Sequence, residues 1–91
     1  MEQIMQINPQ QIQIKIDRYG AIEKLLPEDI TFNLQSPVLV NTVLEQLKQR
    51  YPDSSTMLDH CACAVEDDIV SRQEDLTTHC TLVLLSPVAG G

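Results

Sequence analysis

Ile12, Ile14 and Ile16 alternate with Gln13, Lys15 and Asp17 near the start of the chain. A period of two marks a strand with one buried face, and Gly20 breaks it. Residues 21–26 (AIEKLL) have room for one helical turn before Pro27. Residues 28–34 (EDITFNL) alternate again through Ile30, Phe32 and Leu34. Two such runs, close in sequence, pair as an antiparallel hairpin with a long connection. The period then changes. Val40, Val43, Leu44 and Leu47 recur at helical spacing, with Tyr51 one turn later. Ser36 is a suitable N-cap with Pro37 at the first helical position. Lys48 and Arg50 suit the negative end of the helix dipole, and Pro52 stops the helix.

Residues 53–59 read as a connector, and residues 60–65 (HCACAV) as a short buried strand. Glu66-Asp67-Asp68 forms a turn, Ile69-Val70-Ser71 a short strand, and residues 72–78 a polar stretch around Leu76. Residues 81–85 (TLVLL) form the last strand. On it, Leu82 and Leu84 share one face and Val83 and Leu85 the other. One pair belongs in the core, and the opposite pair is partly exposed. The order strand, strand, helix, strand, short strand, strand lets one helix cover one sheet. It predicts an α+β fold, a ubiquitin-like β-grasp with a mixed sheet packed on one main helix. The last strand then lies parallel to the first in the sheet centre. Residues 1–11 form a leader or an extra strand, 12–86 a single domain, and 87–91 an extended tail.

The length, 91 residues, fits one small domain with a modest core and leaves little room for a large cleft. A formal net charge of −7 argues against nucleic-acid or anionic-membrane surfaces as partners. It steers the chain toward basic protein surfaces instead. No apolar run is long enough to span a membrane, and residues 1–13 lack the apolar core of a secretory signal. With three cysteines, an odd count, free thiols in a reducing cytoplasm are expected. Glycine-rich phosphate loops and Ser-His-Asp or Cys-His arrangements are not readable. Aromatic content of 3% is too low for a base-stacking platform. Nothing resembles a self-sufficient active site.

Three features could carry chemistry. The first is the ending Ser86-Pro87-Val88-Ala89-Gly90-Gly91. Pro87 ends a strand and holds Ser86 extended, while Gly90 and Gly91 can thread a narrow channel. The terminal carboxylate is a poor acyl donor as a free anion. Adenylation by a partner would make it a mixed anhydride open to a sulfur or amine nucleophile. A frayed terminus is the plainer reading of two terminal glycines; the strand and proline before them favour the functional one. The second feature is Cys61, Cys63, His79 and Cys80. Their spacing does not match a closed zinc set, so no metal is expected, and packing accounts for the thiols. The third is the acidic group Glu66, Asp67, Asp68, Glu74 and Asp75, which reads as solvated turns, with docking onto a basic partner as the secondary possibility.

From Ala64 to Gly91 the stretch AVEDDIVSRQEDLTTHCTLVLLSPVAGG resembles the C-terminal half of the small subunit of molybdopterin synthase. That family reads "AVN", a turn, a short strand, a Leu, a Gly-Asp turn and an apolar strand ending in "PPVxGG". Upstream, AIEKL at 21–25 resembles its "xxREL" turn, and the helix ending in Arg50-Tyr51-Pro52 its "LLxxLxxxYP" segment. The chain departs from the pattern at Glu66 (usually Asn), at His79-Cys80 (usually Gly-Asp) and at Ser86 (usually Pro).

The resemblance implies a non-catalytic, sulfur-donating subunit. Gly91 would be adenylated by an ATP-dependent activating enzyme and converted to a thiocarboxylate. Gly90 would allow close approach, and Pro87, Val88 and Ala89 would form the tail that enters the large catalytic subunit, in a heterotetramer. The chain itself would bind no cofactor. Tyr19 and Ile69 fall where the family exposes apolar residues, which with Leu85 makes a docking patch the expected partner surface. Sulfur carriers for thiamine or cysteine synthesis, ubiquitin-like protein modifiers and an interaction domain with an inert tail are the competing readings.

Overall fold

A computed structural model describes residues 10–87. The isoleucine alternation forms strand β1 (Gln11–Tyr19), with Ile12, Ile14 and Ile16 buried and their neighbours exposed. A 3-10 turn over Ala21–Lys24 follows, and then β2 (Ile30–Gln35). β2 pairs antiparallel with β1 from Gln11↔Gln35 to Ile16↔Ile30, the expected long hairpin.

The start of the helix differs from the sequence expectation. Helix α1 runs Val40–Arg50, and Val38–Leu39 before it are a two-residue strand, β3. Ser36 is therefore not the N-cap, and Pro37 is not in the first turn. The reason lies in the 72–77 segment, which runs beside 36–39. Leu76 and Asp75 form β6 (Asp75–Leu76) against Val38 and Leu39. The amides of Val40 and Asn41 donate to the carbonyls of Glu74 and Arg72, at 3.0 and 2.9 Å. Backbone carbonyls thus satisfy donors that a side-chain cap would otherwise serve. The Ser36 hydroxyl donates to the Thr77 carbonyl instead. At its far end α1 stops before Pro52, as expected, and the Arg50 guanidinium lies 4.8 Å from the centre of the Phe32 ring.

The connector is more ordered than its polarity suggests. Pro52–Ser54 form a 3-10 turn and Ser55–Leu58 a single helical turn, α2. Ser54 is fully buried and its hydroxyl donates to the Tyr51 carbonyl at 2.6 Å. Arg72 donates to the Leu58 carbonyl, tying this segment to the loop that leads into β6.

Strands β4 (Ala62–Val65) and β5 (Asp68–Val70) form a hairpin closed by Glu66 and Asp67, both with left-handed φ (50° and 70°). A two-residue turn with both central φ positive matches the right-handed twist of its strands. The last strand, β7 (Cys80–Leu85), runs parallel to β1 and antiparallel to β4. The five-stranded sheet has the order β2-β1-β7-β4-β5. Its inner face, with Ile14, Phe32, Cys63, Leu82 and Leu84, packs on Val40, Val43, Leu44 and Leu47 of α1. This mixed sheet with one main helix is the ubiquitin-like β-grasp. Gln11 belongs to β1 rather than to a leader. Among the described residues, no helix is long and apolar enough to cross a membrane.

Candidate functional site

The described part of the tail begins where β7 ends, and its position is set by a small hydrogen-bonded clamp. Parallel pairing places Tyr19 beside Leu85, so the next residues, Gly20 and Ser86, come together. The Ser86 amide and hydroxyl both donate to the Tyr19 carbonyl, at 3.1 and 2.9 Å. The same hydroxyl accepts the Ile22 amide at 3.1 Å. Gly20 sits at φ 92°, where a side chain is strained, and a Cβ there would strike the Ser86 hydroxyl. Its amide donates to the Glu23 carboxylate at 3.0 Å. Ser86 stands out in the sequence as a departure from the family's proline. Its place in register with a strand-ending glycine is the signal that could have revealed the clamp.

Pro87 follows and is exposed. Val88, Ala89, Gly90 and Gly91 lie outside the described residues, as do residues 1–9.

The three apolar docking candidates share the outer face of the sheet. Tyr19 is 52% exposed, Ile69 68% exposed and Leu85 half-buried. Tyr19, Leu85 and Ala62 form one cross-strand row. Asp17, Val83, Ala64 and Ile69 form the next. Val83 and Ala62, with the buried Ala64 between them and Ile69, thus place Tyr19, Leu85 and Ile69 on one face, a link that the one-dimensional pattern does not display. Lys15 and Thr81 continue the face as a polar row. The apolar part of the sheet is therefore the end from which the tail leaves.

The cysteines do not assemble into a centre. Cys61 and Cys63 are buried, Cys80 is half-buried, and all three are free. Burial pushes all three thiols up, and for Cys61 the neighbouring Cys63 adds to it. A protonated thiol is a poor nucleophile and ligand. His79 Nδ1 accepts the Gln13 amide at 2.8 Å, and His60 Nδ1 lies 2.9 Å from the Thr56 carbonyl, so each ring is engaged with backbone. Glu66, Asp68, Glu74 and Asp75 line an open groove of about 380 Å³ beside Ile69 and Cys80. Among the described residues, no group of three or more His, Cys, Asp or Glu side chains is placed to hold a metal ion.

The sequence model of the ThiS family matches residues 19–91, from the end of β1 to the last glycine. The chain belongs to the ThiS family. It is thereby a member of a ubiquitin-like sulfur-carrier family, and its fold agrees with solved structures of low sequence identity. One is SAMP1 from Haloferax volcanii, with 15% identity, a TM-score of 0.75, and 87% of this chain and 99% of that one covered. A second is the putative molybdopterin converting factor subunit 1 from Pyrococcus furiosus, with 20% identity, a TM-score of 0.73, and 85% and 99% covered. A third is one chain of the complex of subunits 1 and 2 of the molybdopterin-converting factor from Helicobacter pylori, with 23% identity, a TM-score of 0.60, and 88% of this chain and 100% of that one covered. No curated protein sequence matches this ThiS-family chain.

Proposed function

We propose that this chain is the sulfur-carrying small subunit of a molybdopterin synthase. An ATP-dependent activating enzyme adenylates the Gly91 carboxylate. A sulfur donor then displaces the adenylate at the carbonyl carbon, forming the C–S bond of a thiocarboxylate as AMP leaves. The tail enters the large catalytic subunit, which takes the sulfur for a pterin precursor. The chain contributes no acid, base or cofactor of its own; ATP is the activating enzyme's substrate.

The observation that carries this reading is the clamped exit of a central strand. β7 is flanked by β1 and β4, and Ser86 pins its end to the Tyr19–Ile22 turn. Whatever follows Pro87 therefore starts from a fixed place beside an apolar face. The sequence that follows is Val88-Ala89-Gly90-Gly91, without bulk at its last two positions. The molybdopterin assignment is supported by the tail resemblance and by the subunit 1 and subunit 2 complex among the similar folds.

The test is reconstitution. The thiocarboxylate form of the chain, mixed with the large subunit of its own organism's molybdopterin synthase and the pterin precursor, is expected to lose its sulfur to that precursor. Retention of sulfur there, with delivery to a thiamine or cysteine precursor, assigns the chain to the other pathway.

A further inference from the structure

Two apolar surfaces flank the point where β7 gives way to the tail. One is the outer sheet face around Tyr19 and Leu85. The other is an open groove of about 450 Å³ at the end of the sheet. Its apolar lining is Ala21 and Leu25 from the turn after β1, Met57 from α2, and Pro87, with Asp53 and His60 among its polar members. Leu25 and Met57 also pack against the core, so the groove borders it.

Pro87 is both a wall of this groove and the first residue of the tail. Four extended residues span at most about 14 Å, so an enzyme that acts on Gly91 must bring its reacting centre within that distance of Pro87. Its surface therefore approaches Pro87, which is itself a wall of the groove. An apolar concavity covered by a protein surface forfeits packing unless an apolar side chain fills it, and such filled pockets dominate interface energy. Asp53 is exposed on a chain of formal net charge −7, which favours a cationic group on the covering surface. Adenylation is the step that all the carrier readings share, so the activating enzyme is the partner that approaches the tail root, and the groove beside it, in each of them.

We propose that the groove formed by Ala21, Leu25, Met57 and Pro87 is a second docking site, filled by an apolar side chain of the activating enzyme with a Lys or Arg beside it facing Asp53. The proposal rests on the carrier reading above. It divides recognition between the sheet face and the groove, on either side of the tail root.

The experiment measures ATP-dependent adenylation of the full chain by its activating enzyme, followed as pyrophosphate release. The variants are Asp53→Lys, Met57→Glu and, as a control for added positive charge, Asn33→Lys on the exposed side of β2. Asp53→Lys and Met57→Glu are expected to raise KM for the chain about tenfold with kcat retained, while Asn33→Lys stays within about twofold of wild type. Circular dichroism checks folding. Met57 packs against the core, so if Met57→Glu unfolds the chain, the exposed Asp53 decides the question. Unchanged KM for a folded Asp53→Lys, with wild type adenylated, overturns the groove proposal and leaves the carrier reading standing. A wild-type chain that is never adenylated overturns both.

Discussion

Leu82 and Leu84 of β7 are fully enclosed, whereas Val83 and Leu85, one position away on the same strand, are half-buried. The first pair meets α1 and the isoleucines of β1; the second lies on the outer face with Tyr19 and Ile69. Alternation along one strand therefore separates the packed core from an apolar outer face, the face proposed above for docking. The tail root inherits both, because Ser86 continues that same strand into the clamp.

Substitutions on the two faces test this separation. The largest loss is expected from Leu84→Ala, which empties a site at the centre of the core. Chemical denaturation should show a stability loss of about 2–5 kcal/mol. Leu85→Asp should leave the chain folded while weakening binding to the partner subunit by about 2 kcal/mol, roughly thirtyfold in Kd by titration calorimetry. A variant that melts, or one that binds normally, contradicts the assignment of Leu85 to the docking face. Gly20→Ala touches the junction between the faces. Its φ of 92° and the Ser86 hydroxyl in the way of a Cβ predict a loss of about 1–3 kcal/mol in denaturant melts.

The smallest effect belongs to a surface pair outside the sheet, Lys48 of α1 and Asp59 after α2. The Lys48 ammonium donates to Asp59, which holds that carboxyl below its ordinary value and raises Lys48. A carboxylate lowered by folding stabilises above its unfolded pKa, and that contribution fades as pH falls through its folded pKa. Asp59 is exposed and Lys48 half-buried at the surface, so screening leaves little of it. Asp59→Asn should lower Tm slightly at neutral pH, with the difference vanishing in acid. A large change in thermal melts followed across pH would contradict this.

Periodicity revealed β1, β2, the body of α1 and β7, because each repeats its burial pattern several times. It could not reveal β3 and β6, which hold two residues each. Those two strands explain the displaced start of α1. Ser36 and Pro37 carry the right local preferences for a helix start, yet the carbonyls of Arg72 and Glu74, more than thirty residues away in sequence, serve its first amides. The buried Ser54 is a similar case: its partner is the Tyr51 carbonyl, and no apolar repeat announces it. At the site, the face shared by Tyr19 and Leu85 was readable from strand alternation and family pattern. The contributions of Val83, Ala62 and Ala64 needed the register between strands. The Gly20–Ser86 clamp needed the parallel pairing of β1 with β7, which brings together residues 66 positions apart. The role of His79 as acceptor for the Gln13 amide has the same origin.

The central claim is that Gly91 carries sulfur. Its most direct test is the intact mass of the chain after incubation with ATP, a sulfur source and an extract of its own organism. The account predicts a gain equal to the difference between sulfur and oxygen, mapped to Gly91 by fragmentation and dependent on ATP. An unchanged mass, with a control carrier converted in the same extract, would contradict it and leave a β-grasp interaction domain with an inert tail.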